Sequence, residues 1–162
     1  MAYSGRFVPK NLSKYKGDST KIKYRSLLER RVMVWLDECP RVLEWQSELI
    51  IIKYVSPKDN KVHRYFTDFS VVYLNAKGVQ EKYIIEVKPK IQCKPPIKKS
   101  TKTGKSTRRY LKESMTYAIN DSKWKYARAW CLENGYTFQL WTEEIIDRVT
   151  GVSTRKITPK KH

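Results

Sequence analysis

Cysteine is scarce in this 162-residue chain, and histidine scarcer still. The three cysteines, Cys39, Cys93 and Cys131, are odd in number, far apart and free of any CxxC spacing. Neither a disulfide framework nor a zinc site is indicated by that count and spacing. With only His63 and His162 available, histidine-based metal chemistry and a histidine triad fall away too. Glycine-rich phosphate loops are absent. Thr103-Gly104-Lys105-Ser106 imitates the end of one, but Lys99 stands where the upstream glycine is required and no apolar strand leads in, so no nucleotide cofactor is expected. No apolar run approaches a membrane span, and Met1-Ala2-Tyr3-Ser4-Gly5-Arg6 lacks the apolar core of a signal peptide. No membrane partner is expected, and action on the cytosolic side is. Acidic residues are half as frequent as basic ones, 16 against 34, for a net charge of +18. Such a field draws polyanions, nucleic acid first and an acidic membrane surface second. An RNA-binding basic module is disfavoured because no RNP-type aromatic motif occurs.

What is present suffices for one domain: 40% apolar and 12% aromatic residues. The expected fold class is α+β, a mixed central sheet flanked by helices, as a single domain over 24–149 with a basic arm (1–23) and a basic tail (150–162). Tyr3, Phe7 and Tyr15 are the anchors available to pin the arm. A helix is predicted over 26–39, with Leu28, Val32, Trp35, Leu36 and Cys39 on one face and Pro40 ending it. The β-rich run 42–55 reads as a buried strand, 62–73 as a strand carrying Asp68, and 82–88 as the strand that closes the meander. Residues 89–109 read as a loop in which Pro89, Pro95 and Pro96 prevent regular structure. A helix over 110–133, with a possible break at 120–122, stops at Asn134-Gly135. A strand over 136–141 and a final helix through Val149, capped by Thr142, complete the order.

Two stretches carry chemistry, Tyr65-Phe66-Thr67-Asp68-Phe69 and Ile84-Ile85-Glu86-Val87-Lys88. Side chains alternate along a strand, so Glu86 and Lys88 share a face about 7 Å apart while Tyr83, Ile85 and Val87 face a core. If the Asp68 strand pairs alongside, a second carboxylate joins them. Two carboxylates and a lysine can bind a divalent cation and position a water, the minimum for metal-assisted phosphodiester hydrolysis. The plainer alternative is a surface ion pair. Against it, Glu86 follows a strongly apolar run, where unpaired charge is costly. Glu29 has two readings: the capping-box partner of Ser26, returning to the Ser26 amide, or a third carboxylate leaning over the sheet so that Glu29, Asp68 and Glu86 form a cage for a hard cation. Lys90, Lys94, Lys98, Lys99, Lys102, Lys105, Arg108 and Arg109 follow without one acid, placed to hold a phosphate backbone or simply solvated.

A helical Glu, a strand with Asp, then acid-x-Lys, a helix and a strand resembles the PD-(D/E)xK nucleases, with Thr67 where that family usually has Pro. Ala2-Tyr3-Ser4-Gly5, Val8-Pro9-Lys10-Asn11, Tyr24-Arg25-Ser26-x-x-Glu29, Arg64-Tyr65-Phe66-x-Asp68, Ile85-Glu86-Val87-Lys88-Pro89-Lys90 and Lys123-Trp124 are similar to the head completion nucleases of large contractile-tailed phages. The Glu29-to-Lys88 core, with Trp45-Gln46-Ser47-Glu48, is also similar to the end-cutting subunit of some transposases. The resemblance implies an α/β/α restriction-endonuclease-like fold and a virion-associated endonuclease acting on double-stranded DNA at or near packaged ends, with portal or neck proteins as partners. It implies Mg²⁺, or Mn²⁺ in its place, on Asp68, Glu86, the Val87 carbonyl and Glu29, with Lys88 at the attacking water or the transition state and 5′-phosphate products. The rival expectation is a structural DNA-end plug that does not cut.

Overall fold

The computed structural model describes residues 3–99, 102–104 and 107–153. Lys105 and the tail from 154 lie outside the described residues.

The first described segment lies across the domain. Strand β1 (Gly5–Arg6) pairs antiparallel with β2 (Lys23–Tyr24). Phe7, Tyr15 and Ile22 are buried in the main core, whereas Tyr3 stays exposed. The buried carboxylate of Asp37 accepts the backbone N–H groups of Lys10 and Asn11 at 2.8 and 3.0 Å, tying this segment to the end of the first helix.

That helix, α1 (Leu27–Glu38), begins where Ser26 caps it: the hydroxyl accepts the Glu29 N–H at 3.1 Å. The return half of the expected capping box is displaced by one residue, since the Glu29 carboxylate accepts from the Arg25 N–H and not from Ser26. Val32, Met33 and Leu36 bury its inner face.

The predicted strands 42–55 and 62–73 are each broken in two. Strands β3 (Val42–Ser47), β4 (Ile51–Val55), β5 (Val62–Phe66) and β6 (Phe69–Leu74) are two halves of one antiparallel ribbon. Ser47 pairs Phe69 and Ile51 pairs Phe66, so three residues on one strand oppose two on the other. This is bulge geometry. Glu48 supplies the bend with φ of 56°, and the junction is sealed by Glu48 N–H to Asp68 C=O and by the Thr67 N–H and hydroxyl to Ile50 C=O. Asp68 therefore sits in the bend and not inside a strand.

Past the bend, β6 pairs antiparallel with β3 and with β7 (Gln80–Val87), and β7 pairs parallel with β8 (Thr137–Trp141), giving the mixed order β3-β6-β7-β8. Both faces of β7 are covered: Ile85 and Val87 join the core beneath α1, and Ile84 is fully buried on the other side. Helix α2 (Arg108–Asn134) runs unbroken through 120–122, because Asn120 is buried and Ser122 donates to the Val55 carbonyl. It packs on β4 and β8, and its Ala127 meets Ile52, Tyr54 and Tyr65 in a second cluster. Gly135 ends it in the left-handed conformation, φ 75°. Helix α3 (Glu143–Thr150) packs against α1. Thr142 occupies its N-cap position without the expected side-chain bond.

The segment 89–109 also differs from the expected loop. A 3-10 turn spans Lys90–Cys93 between Pro89 and Pro95, since proline is tolerated at the edges of such a turn. Arg108 and Arg109 belong to α2, whose start is set by Thr107 accepting the Tyr110 N–H.

Candidate active site

The sheet register brings the two central acids together. Phe69 pairs with Ile85, so Asp68, one residue earlier, comes level with Glu86, one residue later. The Asp68 Oδ2 accepts the Val87 N–H at 2.8 Å, which fixes its carboxylate across the end of β7. Glu86 is 5% exposed. The Tyr65 hydroxyl donates to its Oε2, and the Lys88 Nζ stands 3.7 Å from its Oε1. Lys88 lies just beyond β7, with its backbone N–H held by the Trp141 carbonyl.

The electrostatics record the crowding. Burial pushes the Asp68 carboxyl well above the ordinary carboxylate range, and the charges of Glu86 and Glu29 push it the same way. The Val87 N–H and Lys88 oppose that rise without cancelling it. Glu29 is raised as well, chiefly by burial, against its hydrogen bond from the Arg25 N–H. Tyr65 is held protonated by burial and by the same acids, which suits it as a permanent donor to Glu86.

Glu29 is near enough for its charge to be felt by Asp68, but the expected cage of three acids does not close. Among the described residues no three Asp, Glu, His or Cys side chains are grouped tightly enough to hold a metal ion by themselves. The physical reason is that each acid already has a protein donor: Val87 N–H on Asp68, Tyr65 and Lys88 on Glu86, Arg25 N–H on Glu29. What the fold assembles is a pair, Asp68 and Glu86, with Glu29 at its margin. Lys88 relieves only part of the repulsion between these hard oxygen donors, and such a pair suits Mg²⁺ or Mn²⁺, which accept one or two carboxylates and keep several waters.

Two residues of this site were not legible as site residues. Tyr65 stands in the Asp68 stretch with no role of its own assigned from sequence, and its hydroxyl is the feature that orients Glu86. Lys123, on α2, lies with its Nζ 5.5 Å from the Tyr65 ring centroid and 5.7 Å from that of Tyr54. Burial lowers its pKa, as does Lys88, against the pull of Glu86 and Asp68. Lys88 and Lys123 thus approach the acid pair from the sheet and from the helix.

The basic residues expected to hold DNA divide. Lys94, Lys98, Lys99, Lys102 and Arg108 are exposed. Lys90 pairs with Glu144 at 2.6 Å while its backbone N–H meets Glu143, so it fastens the segment to α3. Arg109 pairs with Glu113 one turn along α2.

A central strand pair that presents Asp at the start of one strand and acid-x-Lys at the end of the next, between flanking helices, is the arrangement of a restriction-endonuclease-like domain. The family described as TnsA-like endonuclease N terminal matches residues 39–143, and the chain belongs to it. Head completion nuclease of Enterobacteria phage T4 is 40% identical over 144 residues, an alignment that covers 89% of this chain and 93% of that relative.

Proposed function

We propose that this protein is a divalent-cation-dependent DNA endonuclease that acts during phage head completion, at or near the ends of packaged DNA. The observation that carries the reading is the register of Asp68 against Glu86, two acids forced level in a poorly solvated site with Lys88 beside them. Membership of an endonuclease family supports the chemistry, and similarity to the head completion nuclease of phage T4 supports DNA as the substrate and head completion as the setting. Portal or neck proteins as neighbours and the virion as location extend that reading.

In this reading Asp68 and Glu86 would hold Mg²⁺, or Mn²⁺ in its place, with the Val87 carbonyl beside them and Glu29 reaching the ion through water from the margin. A bound cation of this kind neutralises charge on the scissile phosphate and acidifies a water. Tyr65 keeps Glu86 in one orientation. Lys88 orients the attacking water or offsets charge on the transition state. Lys123 adds a second cation on the opposite wall. The exposed Lys94, Lys98, Lys99, Lys102 and Arg108 meet the phosphate backbone, with Lys90 and Arg109 contributing once DNA competes for their glutamate partners; Lys105 adds its charge to the same run of sequence.

The test is incubation of purified protein with linear and closed-circular duplex, in Mg²⁺ or in chelator. Cutting is expected in Mg²⁺, lost in chelator and restored by Mn²⁺, while DNA binding persists throughout. Binding without cutting under any divalent cation would make the protein a structural DNA-end plug.

A further inference from the structure

The half of the long ribbon beyond the bend, β4–β5, stands apart from the central sheet and has two unlike faces. Ile52, Tyr54 and Tyr65 turn inward to α2. The other face carries three cross-strand pairs, Ile51 with Phe66, Lys53 with Arg64 and Val55 with Val62. Among the described residues nothing covers most of it: Ile51 is 42% exposed, Phe66 45% and Val62 65%, Lys53 and Arg64 are exposed between them, and Val55 is half-buried. The Arg64 guanidinium lies over the Phe66 ring at 5.6 Å, which preorganises it without neutralising it. The turn adds Lys58 and Lys61. From Ile51 to Phe66 the single acid is Asp59, and its carboxylate is taken by His63 and the Lys61 N–H.

An uncovered two-stranded ribbon with basic side chains along its middle and apolar ones at either end has the width and chemistry of a major-groove insert, in which cations meet phosphates and guanine edges and apolar groups meet thymine methyls. It is also continuous with the site, because Phe66 is separated from Asp68 only by the buried Thr67. We infer that the β4–β5 ribbon is a second DNA-contacting element, which lies along duplex DNA by its Lys53–Arg64 face and sets where Asp68 meets the strand. Its job differs from that of the basic segment after Lys88, which follows the acid-x-Lys strand and not the bend. This inference rests on the endonuclease reading above.

The experiment measures binding of a blunt duplex in chelator across a salt series, so that cutting does not intervene. Lys53→Ala with Arg64→Ala is compared with Lys10→Ala with Lys77→Ala, which removes the same charge elsewhere. The ribbon pair is expected to weaken binding about tenfold and to make the slope of log affinity against log salt shallower by about one to two, while the control pair stays within threefold of the parent. If the ribbon pair disturbs the melting temperature, Lys58→Ala with Lys61→Ala at the exposed turn replaces it. A loss below threefold, or a loss no larger than the control's, overturns the inference. A parent protein that binds and cuts while ribbon variants match it leaves the endonuclease standing and removes only the ribbon's role; a parent that neither binds nor cuts removes both.

Discussion

Lys88→Ala is expected to lower the cleavage rate by about 10²–10³-fold, the usual loss when a preorganised transition-state partner is removed, with DNA affinity nearly unchanged. The reason is positional. Lys88 is mostly shielded from solvent, held 3.7 Å from Glu86 and fixed through its backbone to β8, so it is poorly placed to act as a general DNA anchor. Lys123→Gln is expected to cost less, about 10–100-fold, as for residues that orient a metal site from outside it. Its amine leans on the Tyr54 and Tyr65 rings and faces the acids from α2. Single-turnover rates and binding in chelator, measured for both variants, separate these effects. If Lys88→Ala cuts at the parental rate, the proposed role of Lys88 is wrong. If Lys123→Gln weakens binding and leaves the rate alone, Lys123 is a DNA contact and not part of the cutting machinery.

Asp68→Asn is expected to abolish cutting and, in metal-free protein at neutral pH, to raise the melting temperature. A carboxyl whose pKa is raised by folding holds its proton more tightly in the native state than in the unfolded chain. Native protein therefore binds more protons between the ordinary value of 3.8 and the raised one, so stability falls as pH climbs through that window and stays low above it. Glu29 is shifted in the same direction and adds to the fall. Asparagine removes the Asp68 charge and still accepts the Val87 N–H. In a domain of this size each kcal/mol of relief corresponds to roughly 2–4 °C. Melts in chelator from about pH 4 to pH 8 should show a shallower decline for Asp68→Asn than for the parent. Added Mg²⁺ should stabilise the parent and not the variant. A variant that melts lower than the parent at neutral pH would mean that Asp68 contributes through its hydrogen bond more than it costs through its charge.

Much of this was readable from the chain. Ser26 before an apolar helical stripe marks the start of α1, and Gly135 marks the end of α2, because caps depend on local geometry alone. Alternation along β7 places Glu86 and Lys88 on one side and Ile85 and Val87 in the core. The bulge was not readable. Glu48 adopts φ of 56° with no glycine or proline to announce it, so 42–55 and 62–73 look like unbroken strands. That bend is what places Asp68 outside the strand and frees the β4–β5 ribbon. Nor does local sequence reveal Lys123: a lysine on a helix looks solvated, and only the packing of α2 over Tyr54 and Tyr65 brings it to the acids. The basic run shows the same limit. Its charges are plain, but the partners that divert Lys90 and Arg109 lie on α3 and one turn along α2.

The most direct measurement is Mn²⁺ binding followed by the loss of the free-ion paramagnetic resonance signal, for the parent and for Asp68→Asn and Glu86→Gln. The parent should take up Mn²⁺ in competition with Mg²⁺, and each single variant should lose that uptake while remaining folded. Undiminished uptake in both variants would place the cation elsewhere and separate the Asp68–Glu86 pair from the chemistry assigned to it.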